Sequence, residues 1–242
     1  MPPPDLVNRD ARRLLLGADS VEYLLVRRRG RRGVGLKVDS TGLTVSAPLT
    51  MPLGRVEALV RESERWVLRK MAEWRARRVA PMEWREGACL PYLGRRLRLT
   101  LEDGPRAAVI VGHDELTARL RNPVPERVQR LVVSWYREVA QLYLAGRTFT
   151  LARSAGLTPP HVMISGALSR WGSCNARREV RLAWRLVKAR PALIDYVICH
   201  ELAHLRHMNH SRAFWNEVAR QCPGYGALRD ELFATDHLYR SF

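Results

Sequence analysis

The chain has 242 residues, with 41 lysines and arginines against 24 aspartates and glutamates, a formal net charge of +17. Apolar residues make up 46% and charged residues 27%, a balance that folds around a core and excludes both a disordered chain and a disulfide scaffold. No apolar run approaches the ~18 residues of a membrane span, so no membrane partner is expected.

Short β-rich runs at 21–26, 33–38 and 42–47 open the chain, separated by Gly and Arg turns. The first of those turns is the cluster Arg27-Arg28-Arg29-Gly30-Arg31-Arg32. It reads as a solvated turn or as a phosphate contact, which keeps nucleic acid open as a partner. No aromatic residues interleave with it, so base stacking is not indicated. Helical spacing of Val56, Leu59, Val60, Trp66, Val67, Met71 and Trp74 predicts one helix over 53–78. Strands follow at 89–93, 95–101, 107–111 and 115–120. The stretch Asn122-Pro123-Val124-Pro125 is the strongest boundary signal. A helix is predicted over 125–148, then two antiparallel strands at 162–164 and 180–184 around Arg170–Cys174. Helices over 191–208 and 211–221 close the pattern. No internal repeat is visible. Grouped rather than alternating elements predict an α+β fold. Its β-rich N-terminal region with one long helix spans 1–121, and a second domain of helices and strands spans 122–242.

The segment Cys199-His200-Glu201-Leu202-Ala203-His204 matches H-E-x-x-H. Residues four apart share a helix face, so His200 and His204 can both address one Zn²⁺. Glu201 then stands where a carboxylate can take a proton from attacking water and pass it to the leaving amine. Three residues compete as third ligand. His207 shares the helix face, but lies about 10 Å of helical rise from His200. His210 can return to the metal only if the helix ends near Met208, which Asn209 permits by taking the left-handed conformation. Ser211 would then cap the next helix. Glu217, on that next helix, is the third option. His210 fits best.

The spacing His200, His204, His210 equals that of the metzincins, though His207 stands at their glycine position and no Met-turn follows. A denser resemblance is carried by Arg170-Trp171-Gly172-Ser173-Cys174, Val180–Arg185, Asp195-Tyr196-Val197, Cys199–Leu205, Asn209-His210-Ser211 and Phe214-Trp215. Over about residues 160 to 220 the chain resembles the YgjP-like zinc metallopeptidases, which are related to the SprT and WLM zincins. The resemblance implies a minimal zincin domain with one Zn²⁺ per chain. It implies His200, His204 and His210 as ligands, Glu201 as base, and a peptide or protein as substrate. The SprT relation adds, by analogy, a DNA-associated protein acting on nucleoprotein complexes as an alternative.

Trp171, Gly172, Ser173 and Cys174 are expected to shape the cleft, because an edge strand beside a zincin active site binds substrate backbone. Gly172 would allow a close approach, and Cys174 is a packed small residue or a further metal contact. Asp195 reads either as orienting a ligand imidazole or as an acid near a helix start. Tyr196, Tyr225 and His237 are candidates for stabilising the oxyanion. The start Met1-Pro2-Pro3-Pro4-Asp5 lacks the pattern of a secretory signal, and no cysteine pair forms C-x-x-C. The cytoplasm, with reduced thiols, is therefore the expected location.

Overall fold

Strand pairing begins earlier than the apolar runs suggest. In this computed structural model, which describes residues 6–39, 41–76 and 80–242, β1 (Leu6–Leu16) pairs antiparallel with β2 (Asp19–Arg28). Of the β1 side chains described, only Leu14 and Leu16 are buried, and exposed Arg9, Arg12 and Arg13 mask the strand in the sequence. β4 (Gly42–Pro48) runs parallel to β2 and antiparallel to β3 (Gly35–Asp39), giving the order β1-β2-β4-β3. The helix predicted over 53–78 is two: α1 (Leu53–Glu62) and α2 (Glu64–Ala76). They part at Ser63, whose N–H donates to the Val60 carbonyl in a tightened last turn. Residues 77 and 78 of that expectation lie outside the described residues. Within the arginine cluster, Arg27 donates to the carbonyls of Pro48, Leu49 and Met51, and Arg31 to that of Gly33. Two of its five guanidiniums thus serve the protein's own backbone.

The next four strands repeat this topology, although the sequence shows no repeat. β5 (Cys89–Tyr92), β6 (Arg95–Glu102), β7 (Ala108–Val111) and β8 (Glu115–Arg119) form the order β5-β6-β8-β7, again with a parallel central pair between two antiparallel ones. Leu97 and Leu99 face inward while Arg96 and Arg98 stay exposed, the period of two that a half-buried strand requires. α3 (Pro125–Ser154) starts with proline in its first turn and buries every fourth residue from Val128 through Tyr136 and Leu144 to Ala152. Because Thr148 and Ala152 continue this stripe, the helix runs past the predicted end at 148.

A third sheet places β11 (Glu179–Ala183) between β10 (Gly172–Cys174) and β9 (His161–Ser165). Here the expectation of two antiparallel strands is corrected. β9 and β11 are parallel. The motif between them is itself a strand, antiparallel to β11, with Gly172 opposite Leu182 and Cys174 opposite Val180. The reversal falls at Asn175, whose side-chain oxygen accepts from the N–H groups of Arg177 and Glu179. A tight turn over Trp184–Lys188 leads into α4 (Pro191–Ala203), followed by α5 (Arg212–Gln221) and α6 (Tyr225–Tyr239). The sequence reading contains no counterpart of α6.

The chain divides into two compact units between residues 78 and 79, each with its own core. Leu90, Leu97, Leu99 and Leu116 share one core with α3 and α4, so the boundary read at 121/122 falls inside the second unit. The β5–β6 hairpin also helps to place α4. Its two-residue turn, Leu93-Gly94, has positive φ at both positions. Leu93 N–H donates to Val187 O at 2.7 Å, and a Cβ on Gly94 would stand 2.7 Å from that of Arg190, the residue before α4. Among the described residues, no helix is long and apolar enough to cross a membrane.

Candidate metal centre

α4 starts at Pro191 and buries Leu193, Ile194, Val197, Ile198 and Leu202, so it runs through the core rather than over the surface. A core helix that ends in His200, Glu201 and His204 needs partners for those polar groups. The helix stops at Ala203 rather than near 208. Leu205 and Arg206 N–H donate to the carbonyls three residues back, at 3.0 and 3.1 Å, which tightens and ends the coil. Asn209 is not among the residues with positive φ, so the left-handed terminator expected there is absent. Early termination frees residues 204–210 to turn back, and Ser211 caps α5 by accepting from Phe214 N–H at 3.5 Å.

His200, His204 and His210 thereby offer ring nitrogens within 4.8 Å of one another. Nε2 of His200 and Nε2 of His210 stand 3.1 Å apart. At that distance the two nitrogens can share a proton or address one cation. One ion at 2.0–2.1 Å from tetrahedral nitrogen ligands separates those ligands by about 3.3 Å, so the residues fit a single metal ion. His204 Nδ1 lies 3.1 Å from the His207 carbonyl oxygen. With the proton on Nδ1, this bond leaves Nε2 open and fixes the ring, the usual support of a ligand imidazole. Burial first, and then the two neighbouring imidazoles, lowers His200 to about 4. Burial also lowers His204. Both rings are therefore neutral at pH 7 with lone pairs to give. Phe214 is fully buried, with its ring centroid 4.9 Å from that of His200 and 4.6 Å from those of His204 and His210.

Neither rival third ligand is in the cluster. His207 contributes its carbonyl to His204. Glu217 is held by Arg220, at 2.7 and 3.0 Å, and by Gln221 at 2.7 Å, with Arg206 at 3.6 Å. Arg206 and Arg220 also both donate to Ala155 O, which pins the segment between His204 and His210 to the end of α3.

Glu201 is 5% exposed, and its Oε2 has no hydrogen-bond partner among the described residues. Burial pushes its carboxyl up to about 8, with Arg170 pulling the other way. Gly172 lies directly against it: a Cβ there would stand 2.4 Å from Oε1. Alternation along β10 turns Gly172 and Cys174 to one face and Ser173 to the other. Cys174 is not in the metal-ligating cluster, and its thiol is raised by burial and by Glu201. Trp171, Gly172, Tyr196, Val197, His200, Glu201 and Leu232 line one cleft. Tyr196 is thus the cleft-lining member of the three oxyanion candidates. Tyr225 instead stacks between Tyr196 and Trp215.

Asp195 does not orient an imidazole. Both of its oxygens accept from Arg147 of α3, at 2.6 and 2.7 Å. The support for the three imidazoles that the sequence does not announce comes from the His207 carbonyl and from the Phe214 ring. The Phe214-Trp215 pair was the only signal of either.

No curated protein and no solved structure matches the chain. The family described as YgjP-like, metallopeptidase domain, matches residues 32–235, and the chain belongs to that family.

Proposed function

We propose that the chain is a zinc-dependent peptidase in which His200, His204 and His210 hold one zinc ion and Glu201 is the general base. The observation that carries this reading is the convergence of three imidazoles beside a buried carboxylate, with His200 and Glu201 lining one cleft. Family membership supports the peptidase class. Zinc, when bound there, supplies a Lewis acid for the scissile carbonyl and draws the Glu201 carboxyl back toward its ionised form. Glu201 takes the proton of the attacking water and returns it to the leaving amine. Gly172 leaves room for that carboxylate, and Phe214 and the His207 carbonyl keep the imidazoles in place. β10 lies at the edge of its sheet, so an extended peptide can pair with its outer backbone groups. In Glu201→Gln, zinc content is expected to stay at the wild-type level while casein hydrolysis falls by about a hundredfold to ten-thousandfold. Wild-type hydrolysis by that variant would contradict the role of Glu201.

The net charge of +17 supports nucleic acid as a further partner. Duplex DNA affinity should then fall steeply between about 50 and 200 mM salt. A lack of binding at the lower salt would remove this reading.

A further inference from the structure

Resting on the peptidase reading above, we propose that the pocket walled by Trp171, Tyr196, Val197 and Leu232 receives a large apolar side chain next to the scissile bond, and that Leu232 sets the size accepted. The cleft opens to solvent and has a volume of about 220 Å³. Apolar cavities of roughly 150 Å³ hold a benzene ring, whereas pockets for drug-sized ligands begin at about 300 Å³. One leucine, methionine or phenylalanine side chain matches the space. Its polar lining, His200 and Glu201, is the proposed reacting pair, so a side chain seated here brings its own backbone to the chemistry.

The walls are preformed. Arg240 stacks over Trp171 at 4.3 Å, and Tyr239 meets the same ring edge-on at 6.4 Å. Tyr196 stacks on Tyr225 at 6.5 Å. Arg190, at the start of α4, binds Glu231 through both guanidinium branches, which fixes α6 and with it the neighbouring Leu232. An acidic side chain would meet Glu201. A basic one would pair with Glu201 and hold the carboxylate away from the water it is to deprotonate. Burial of a leucine-sized side chain then favours it over glycine by about ten- to a hundredfold.

The test uses the zinc-reconstituted full chain on a peptide library from a digested proteome, with cleavage sites read by mass spectrometry. Expected is about tenfold or greater enrichment of Leu, Met or Phe at one position adjoining the cleaved bond. Leu232→Ala should move that enrichment toward Trp and Tyr, and Leu232→Trp toward Gly and Ala. If Leu232→Trp does not fold, Leu232→Phe reads the same shift in smaller degree. A flat profile, a charged preference, or one profile shared by wild type and variants would overturn the pocket and leave the peptidase reading standing. If wild type cleaves nothing, the peptidase reading fails, and binding of N-acetyl-leucinamide against N-acetyl-glycinamide to the same chain, followed by NMR, decides the pocket. Preference for the leucine amide that is lost in Leu232→Trp supports it, and equal binding overturns it.

Discussion

A methyl group at residue 172 would overlap the Glu201 carboxylate, since its carbon would lie 2.4 Å from Oε1. Gly172→Ala is therefore expected to displace the Glu201 carboxylate while leaving the three imidazoles in place. The expected outcome is retained zinc with kcat reduced by about a hundredfold or more, measured by metal analysis and steady-state kinetics on one preparation. Glu217 gives a second prediction at this scale. Arg220 first, then Gln221 and Arg206, hold its carboxyl down at about 2, against an ordinary 4.5. A value lowered in the folded state stabilises the fold above the unfolded value and ceases to do so as pH falls through the folded one. Glu217→Gln should therefore cost on the order of 2 kcal/mol near pH 7, moderated by the half-exposed Arg220, with the difference closing between about pH 4.5 and 2. Urea unfolding at several pH values checks this. His200, Glu201 and His204 were legible in the sequence because helical spacing is local. The contact of Gly172 with Glu201 joins segments 29 positions apart, and the His207 contribution is a backbone carbonyl that no residue type announces.

α4 was legible as a helix from its apolar residues, but its end was not. Termination comes from tightened backbone bonds at Leu205 and Arg206 and from the His204 bond to His207, none of which carries the Gly or Asn signal of a common helix stop. Strand direction was equally hidden. β9 and β11 each read as a short apolar run, and they come out parallel because β10 lies between them in the chain and pairs on the far side of β11. α6 escaped notice because just one of its residues, Leu232, is buried, so it lacks a strong apolar stripe. The pairing of Asp195 with Arg147 joins α4 to α3, so Asp195→Ala should lower stability by about 1 kcal/mol and leave zinc affinity unchanged. A loss of zinc affinity matching that of a ligand variant would instead return Asp195 to the support of an imidazole.

At the level of the whole chain, the two separate cores predict where it can be divided. A fragment of residues 79–242 should fold cooperatively and bind zinc, because β5–β8, α3 and α4 stay together in it. A fragment of 122–242 should not, because it loses Leu90, Leu97, Leu99 and Leu116 from its core. Far-ultraviolet circular dichroism with thermal melts distinguishes the two. The α+β class was legible because strand and helix periods differ, whereas the division was not, because the proline-rich stretch at 122–125 marks the start of a helix within the second unit. The most direct test of the proposed zinc centre is metal content, by mass spectrometry, of wild type, His200→Ala, His210→Ala and Glu217→Ala. About one zinc per chain is expected in wild type and Glu217→Ala, and none in either histidine variant. Zinc kept in His210→Ala but lost in Glu217→Ala would contradict the three-histidine centre, as would a wild-type chain that takes up no zinc on reconstitution.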